Sequence, residues 1–354
     1  MSDPAAPPGP SVPPHPAPTR RATLRLAAGW AAGLRAGAAG VVAGAGTAGL
    51  AHPALAQAPF PSRPIRLIVG FAPGGTSDVA LRVLAETASK QFGQPVVVEN
   101  KAGAGGSMAP LTVKDARPDG YTVAHMGVPA VRQTLITRRP GFDPIADNTR
   151  IIHVGGYLLG VVVRPDAPWR DWNQFVAYAR ENPGKITYGS TGVTSTGNVA
   201  MTRLADLLGI QWTHVPYRGG AESTQALLGG QIDASADSSS WAQMVQEGAL
   251  RLLVTWGPAR SPNFPNVPTL RETGTDFVAT SPYGIIGPPG MDPAVVQKLH
   301  DGFKAAMYDP QHVSTLERLD MPMLYMNSAD YDAFARRQYE EEREMAQRLG
   351  LQLQ

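Results

Sequence analysis

From residue 63 onwards, short apolar runs alternate with stretches in which apolar residues recur at helical spacing. This alternation is typical of α/β units, in which strands line up in a parallel sheet and helices cover its faces. The first unit has a predicted strand at 65–70 and a predicted helix at 78–91. Further strands are predicted at residues 95–99, 121–126, 151–163, 185–190, 211–217, 232–236, 250–255 and 281–287.

Helical spacing continues between and after these strands. The glycine-rich loop at 103–106 is expected to open onto a helix, and Asn182-Pro183-Gly184 gives a clear helix end. The remaining helices are predicted at residues 172–181, 198–208, 221–228, 241–246, 292–307, 311–318 and 329–349.

The order of these elements predicts two α/β domains. The long apolar run at 151–163 is expected to carry a strand out of the first domain, and the strand at 281–287 to return towards it. We therefore expect a discontinuous first domain, formed by residues 57–160 plus 284–354. The second domain is expected at 161–283.

The first 56 residues differ from the rest and predict an export signal. An arginine pair at 20–21 precedes an apolar segment, and Ala54 and Ala56 form a small-residue cleavage site. We expect cleavage after Ala56 and a periplasmic mature protein. The arginine pair favours the twin-arginine route, although Thr23 and Arg35 depart from it, so the general secretory route stays open. Arg35 and the many glycines argue against a membrane-spanning helix.

The formal charge of +2 originates in this leader, which holds four arginines and one aspartate. The remaining chain carries 27 basic and 28 acidic side chains. A nearly neutral body lacks the concentrated basic face that nucleic-acid binding requires, so we expect no nucleic-acid partner. The sequence contains no cysteine, which excludes disulfides, thiolate metal sites and a cysteine-linked lipid anchor.

Three segments share one layout, in which a strand is followed by a loop rich in glycine, serine or threonine and then by a helix. They lie at 65–79, at 186–199 and, less clearly, at 215–223. A helix start presents N–H groups without intrahelical partners and the positive end of the helix dipole, so it attracts anions. Two such loops facing each other across a cleft would suit the two ends of a dicarboxylate. Taken singly, each loop also fits an ordinary strand-to-helix connection.

Sequence patterns for catalysis are incomplete. There is no phosphate-binding G-x-x-x-x-G-K-[ST], and Met108 occupies the third glycine position of the dinucleotide pattern that begins at 103. The nucleophile pattern G-x-S-x-G is absent, because Val193 replaces the first glycine of the nearest string. The histidines after residue 57 lack metal-ligand spacing. We expect no cofactor, no metal and no catalytic residue.

Seven motifs occur in the order of one known family. They are PIRLIV with FAPGGTSD (64–78), PVVVENKAGAGG (95–106), PDGYT (118–122), NPGK (182–185), HVPYRGG (214–220), GGQID (229–233) and PNVPT (265–269). Together they resemble the Bug family, the substrate-binding receptors of tripartite tricarboxylate transporters. The resemblance runs from about residue 60 to the end.

That resemblance implies a type II periplasmic-binding-protein fold, with two α/β domains joined by a hinge of two or more crossings. It implies small carboxylate or amide ligands, held by main-chain N–H groups and hydroxyls. By position, the ligand-binding residues would be Phe71, Gly74, Gly75, Thr76 and Asp78 in the first loop, Ser190, Thr191, Thr194, Ser195 and Asn198 in the second, and Tyr217 and Asp237 as weaker candidates.

The second loop departs from the family pattern S-x-G-x-G-[ST]-x-x-H. Ser190, Gly192 and Ser195 fit, but Thr194 replaces a glycine and Asn198 replaces a histidine. An added side chain narrows access to the backbone, and the loss of an imidazole changes the polarity of the loop. We expect these replacements to affect which ligand binds, and not the fold.

The resulting hypothesis is a monomeric, non-enzymatic periplasmic receptor. It would close on a small carboxylate ligand and deliver it to the membrane permease subunits of a tripartite transporter. One alternative is a secreted enzyme acting on a small carboxylate, with Asp78 or Asp237 as its base. Another is the ligand-sensing subunit of a signalling system, since the same clamp serves both tasks.

Overall fold

The computed structural model of the protein describes residues 60–348 and residue 350. The predicted export signal and its cleavage site after Ala56 lie outside the described residues. The strands are β1 (Ile65–Val69), β2 (Val96–Asn100), β3 (Thr122–Gly127), β4 (Thr149–Gly155), β5 (Leu159–Val163), β6 (Thr187–Ser190), β7 (Thr213–Pro216), β8 (Ala234–Ser238), β9 (Arg251–Thr255), β10 (Tyr283–Gly287) and β11 (Met323–Met326).

Helices separate most of these strands, as the sequence predicts. They are α1 (Thr76–Phe92), α2 (Met108–Lys114), α3 (Val128–Ile136), α4 (Trp172–Glu181), α5 (Thr196–Leu208), α6 (Gly220–Leu228), α7 (Ala242–Gln246), α8 (Pro293–Met307), α9 (Pro310–Arg318) and α10 (Ser328–Arg348). Short 3₁₀ turns occur at Ala104–Gly106, Ser239–Trp241 and Arg271–Thr273. Among the helices of the described residues, none has the length and apolarity needed to cross a membrane.

The first sheet has the order β11-β4-β10-β3-β1-β2. Strand β1 pairs in parallel with β2 and β3, whereas β10 is antiparallel to both β3 and β4. The prediction of a parallel sheet is therefore correct for β1 to β3 and wrong for β10, the strand predicted at 281–287. Strand β10 enters this sheet only after the chain has passed through the second sheet, and it enters from the opposite end.

The second sheet has the order β7-β6-β8-β5-β9. Its β6 strand is parallel to β7 and β8, while β5 is antiparallel to β8 and β9. Two connections join the sheets, one between β4 and β5 and one between β9 and β10. The fold is therefore two α/β domains, and the residue boundaries given above for each domain stay predictions.

The run at 151–163, predicted as one strand, forms two strands in different sheets. All residues of β4 and β5 except Thr149 are buried, so the apolar pattern hides the break between the two strands. At the break, Gly156 donates its N–H to the carbonyl of Pro322, 3.0 Å away. Strand β11, which follows Pro322, was not predicted. It is a four-residue edge strand without an alternating apolar face.

Each sheet has its own apolar core. Helices α1 and α8 pack together over the first sheet, and their core includes Leu84, Phe92 and Phe303. Trp172 and Phe175 on α4 pack with Tyr188 over the second sheet. Each sheet and its helices are thus packed around a core of their own. The loops that follow the strands lie outside these cores and can line a cleft.

Gly302 permits the close packing of α8 against α1. A Cβ at this position would lie 2.1 Å from the ring of Phe92. We expect Gly302→Ala to lower the free energy of unfolding by about 1–3 kcal/mol, because an added methyl overpacks the core. Urea unfolding followed by circular dichroism measures the change.

At an exposed helical position the same substitution would instead raise the free energy of unfolding, since alanine is favoured over glycine in a helix by about 1 kcal/mol. A rise in stability for Gly302→Ala would therefore contradict the packing argument. The Phe92→Leu background serves as the control, because a smaller partner should recover part of the loss.

Candidate functional site

One cavity lies where the predicted strand–loop–helix segments meet. Strand β1 leads to the start of α1 at Thr76, β6 leads to α5 at Thr196, and β7 leads to α6 at Gly220. All three helix starts contribute to the wall of the same cavity, which has an empty volume of about 530 Å³. Part of this volume is open to solvent.

Five of the residues proposed from the family resemblance line this cavity: Phe71, Gly75, Thr76, Thr191 and Asp237. Thr76 lies at the start of α1, where its hydroxyl accepts a hydrogen bond of 3.1 Å from Ser238. Ser238 belongs to the second sheet, so this contact joins the two walls of the cleft. The proposed residues that line the cavity are those that lie at or just after the ends of β1, β6 and β8.

Asp78 supports the first loop from behind the cavity wall. Its carboxylate accepts hydrogen bonds from the N–H of Gly74, from Arg82 and from Asn100, at 2.7–2.9 Å. Burial acts to raise the pKa of Asp78, but the bonds from Arg82, Gly74 and Asn100 outweigh it and hold that pKa below its usual value. Gly74 has the positive φ of 82° that this turn requires. Asp78 therefore fixes the shape of the loop.

The second loop engages most of its hydroxyls within its own domain. Ser195 caps α5 by accepting the N–H of Asn198 at 3.1 Å, and it donates to Ser190 at 2.9 Å. Ser190 in turn contacts the imidazole of His214 at 2.8 Å. The Asn198 side chain accepts from the hydroxyl of Tyr188 at 2.6 Å. Ser190, Ser195 and Asn198 thus order the loop and lie outside the cavity lining.

Thr194, which replaces a family glycine, contacts the other domain. Its hydroxyl donates to the side-chain oxygen of Gln133 on α3 at 3.3 Å. A Cβ on Gly105 would lie 2.0 Å from the same hydroxyl, so the two segments are in close contact. The side chain of Thr194, which was expected to narrow access to the backbone of the second loop, thus also forms a contact across the cleft. Tyr217 is half-buried and packs against the apolar cluster around Leu227 and Trp241, outside the cavity lining.

Arg132, which forms a buried ion pair on the side of the first sheet, makes a third contact across the cleft. Arg132 on α3 donates to both carboxylate oxygens of Glu342 on α10, at 2.5 and 2.8 Å. Its remaining nitrogen donates to the hydroxyl of Thr196 at the start of α5, 2.9 Å away. Thr196 then donates to Ser281 at 3.0 Å. Together with Thr194 and Thr76, these bonds hold the two domains in contact around the cavity.

Several cavity residues were missed by the sequence analysis. They include Ser77, His125, Tyr157, Thr196, Ser238 and Ser281. Thr196 and Ser238 had a detectable signal, because they stand in polar runs at predicted element ends. His125 and Tyr157 had none, since both lie in apolar runs that predict ordinary buried strand residues.

His125 and Tyr157 form a buried pair at the base of the cavity, with 3.2 Å between Nε2 and the hydroxyl. Burial lowers the pKa of His125 to about 4 and raises that of Tyr157. His125 is therefore neutral at pH 7 and acts as a hydrogen-bonding group without charge. Its ring also contacts the edge of Phe71, which gives the cavity one aromatic wall.

Asp237 stands apart among the cavity residues because one of its carboxyl oxygens lacks a partner. Oδ1 accepts the N–H of Ser238 at 2.7 Å, while Oδ2 is buried without a hydrogen bond within the described residues. Burial raises the pKa of this carboxyl to about 7, although the bonds from Ser238 act to lower it.

The arrangement offers little for catalysis. Ser190 and His214 contact each other, but Ser190 is fully buried and burial lowers the pKa of His214 to about 4. In the described part of the chain, no group of three His, Asp or Glu side chains is placed to hold a metal ion. The cavity is instead suited to binding through N–H and hydroxyl donors.

The buried histidine makes a pH-dependent stability prediction. Because the pKa of His125 is about 4 in the folded state and near 6.5 when unfolded, the unfolded state gains a proton first as the pH falls. Folding therefore loses about 1.4 kcal/mol per pH unit from this group between pH 6.5 and 4.

We expect His125→Gln to reduce the fall in stability between pH 7 and pH 4.5 by roughly 2 kcal/mol. Urea unfolding of both proteins at pH 7, 5.5 and 4.5 measures the difference. Asp237 titrates in both proteins, so its contribution cancels in the comparison. Equal slopes for the two proteins would contradict the assignment of a neutral buried imidazole.

Comparison with known proteins places this geometry in a family. Residues 80–351 match the family described as tripartite tricarboxylate transporter family receptor. A Cupriavidus necator protein, described as UPF0065 protein in gbd 5′region, is 48% identical over 318 residues, which cover 90% of this chain and 96% of that protein.

Two solved structures are similar throughout. The periplasmic binding protein BugD superposes with a TM-score of 0.80 at 29% identity, covering 83% of this chain and all of that one. MatC from Rhodopseudomonas palustris, solved with bound malate, gives a TM-score of 0.76 at 25% identity, covering 81% of this chain and 99% of that one. Both the resemblance found in the sequence and the predicted type II periplasmic-binding-protein fold are confirmed. The chain belongs to the tripartite tricarboxylate transporter receptor family, whose members are solute-binding receptors.

Proposed function

We propose that this protein is a periplasmic receptor that closes on a small carboxylate and delivers it to the permease of a tripartite transporter. One observation carries the proposal: the starts of α1, α5 and α6 converge on a single cavity. Their first N–H groups have no partners within the helices, and the positive ends of three helix dipoles point to one place. Such donors suit a small anion, and the match to the tripartite tricarboxylate receptor family favours a carboxylate.

The cavity supplies these donors without a positively charged side chain. Of the described residues that line it, none is a lysine or an arginine, and His125 is neutral at pH 7. Hydroxyls from Thr76 and Thr191 add further donors. Main-chain donors in a closed, water-poor cavity bind an anion strongly, because their dipoles are already oriented.

The contacts across the cleft support a closing motion. The bonds between Thr76 and Ser238, Thr194 and Gln133, and Arg132 and Thr196 each cross the cleft from the side of the first sheet to the side of the second. Hinge closure around a ligand would form these bonds and exclude water. The similar MatC protein, solved with malate, supports a dicarboxylate as the ligand class. A monomer fits this clamp, since both walls come from one chain.

The proposed function is tested by a thermal-shift screen. Protein expressed from the full-length sequence is purified, stripped of bound ligand by partial unfolding and dialysis, and mixed with dicarboxylates, tricarboxylates, amino acids, aromatic acids and amides. A ligand at 100 times its dissociation constant stabilises the folded state by about 2.7 kcal/mol, which raises Tm by several degrees. We expect such a rise for a small carboxylate, recovered chemically unchanged.

A chemically altered carboxylate would favour the secreted enzyme over the receptor. No rise with any carboxylate would contradict the anion-binding role of the helix starts. A ligand-sensing role is separated from transport by deleting the permease and measuring uptake of the same carboxylate by whole cells, which transport predicts to fall.

Substitution at the start of α1 tests the site. We expect Thr76→Val to weaken carboxylate binding about tenfold, because one hydroxyl donor and the bond from Ser238 are lost. The control is Thr112→Val on α2, whose hydroxyl bonds only its own helix at Met108. Titration calorimetry measures both affinities, and circular dichroism checks that both variants fold. Equal affinity for wild type and Thr76→Val would remove Thr76 from the site.

A further inference from the structure

Asp237 is a carboxyl group inside a cavity built to attract anions. Its side chain is 4% exposed, and the residue lines the wall beside the starts of α1, α5 and α6. Oδ1 is fixed by the N–H of Ser238, whereas Oδ2 has no hydrogen-bond partner within the described residues. A Cβ on Gly220 would lie 3.4 Å from Oδ2, so this oxygen borders the start of α6.

An unpartnered buried oxygen of this kind is costly, because a polar group removed from water needs a hydrogen bond. Asp237 and the neighbouring Gly220 both line the cavity, so a ligand bound there is the partner placed to satisfy this oxygen. Considered by itself, this oxygen is compatible with either protonation state of Asp237. An ionised Asp237 would accept a bond from a ligand N–H or O–H, whereas a neutral Asp237 would donate its own proton to a ligand oxygen.

The surrounding charges favour the neutral form once an anion is bound. The carboxylates on the adjoining helices are Asp78 on α1, which is already paired with Arg82, and Glu222 on α6, which accepts the N–H of Arg218. The other adjoining elements bring no charge to Asp237 at their points of contact. Strand β5 places Gly160 opposite it, and α5 approaches β8 through Gly197.

The facing wall of the cavity adds His125 and Tyr157, both uncharged at pH 7. No cationic side chain of the described residues lines the cavity to stabilise a second negative charge. The start of α6 favours an anion beside Oδ2, but a ligand carboxylate would compete for the same N–H groups. Two unscreened carboxylates in one closed cavity repel each other strongly, and a shared proton removes that repulsion.

We infer that Asp237 binds the ligand in its neutral form, donating a hydrogen bond from Oδ2 to a carboxylate oxygen, so that capture of the carboxylate takes up one proton from solvent. This inference rests on the proposed function. The raised pKa of about 7 in the empty protein supports it, because only a small further rise is needed to hold the proton at neutral pH. Asp237 is then the residue that selects an oxygen acceptor at this point of the ligand.

Titration calorimetry measures the proton directly. Malate, succinate and adipate, all doubly ionised at pH 8, are titrated into the purified full-length product in phosphate and in Tris, which differ in ionisation enthalpy. We expect uptake of about one proton per ligand at pH 8 and much less at pH 6, where Asp237 of the free protein is already largely protonated. The dissociation constant should rise about tenfold per pH unit above pH 7.

Three variants locate the proton. Asp237→Asn keeps an acceptor for Ser238 and presents an N–H₂ donor, so we expect it to bind the same ligand with no proton uptake and a flat pH profile. Asp206→Asn, an exposed position on α5, makes the same charge change outside the cleft and should behave as wild type. His125→Gln should retain the uptake.

Other outcomes overturn the inference. Zero uptake or proton release by the wild type at pH 8 would show that Asp237 binds as an ionised acceptor, as would loss of binding in Asp237→Asn alone. Loss of the uptake in His125→Gln, with the uptake kept in Asp237→Asn, would assign the proton to the imidazole. Absence of binding by every carboxylate at both pH values would overturn the proposed function and this inference with it.

Discussion

A helix start that is buried away from water leaves N–H groups that only a ligand or a cap can satisfy, and three such starts meet in this cleft. The protein itself caps only one of these helices with a side chain, since Ser195 caps α5. The residues at the N-cap positions of α1 and α6 are Gly75 and Gly219, which have no side chain to do so. The arrangement of the sheets follows from this constraint. Both sheets direct the loops after their parallel strands towards the same space.

The side chains around the cleft divide their tasks accordingly. Asp78, Ser190 and Asn198 shape the loops from behind, while Thr76, Ser238 and Asp237 face the cavity. The main chain provides attraction for any small anion, since its N–H groups are the same whatever side chains are encoded. In the proposed receptor, discrimination among anions is left to the few side chains that face inward, and burial raises the pKa of one of them, Asp237, to about 7.

Much of this was predictable from the sequence because the signals are local. Helix α4 was predicted at its observed bounds, and the three strand–loop–helix segments were recognised from glycines and hydroxyl residues at strand ends. Strand direction was not predictable, since β10 pairs with strands more than 100 residues away. The break at Gly156 was hidden within a continuous apolar run. His125 on β3 and Tyr157 between β4 and β5 were missed for the same reason, because a polar atom on a buried residue leaves the apolar pattern intact.

The pairing of Arg132 bears on how easily the clamp reopens. Its charge is balanced by Glu342, and both residues belong to helices that pack on the first sheet, through Val131 on α3 and Tyr339 on α10. The second domain contributes two neutral acceptors, the hydroxyl of Thr196 at 2.9 Å and the main-chain carbonyl of Thr194 at 3.5 Å. Separating the domains therefore breaks hydrogen bonds that water replaces, and leaves no guanidinium without its counter-ion. In the proposed receptor, opening at Arg132 therefore costs no more than the exchange of neutral hydrogen bonds with water.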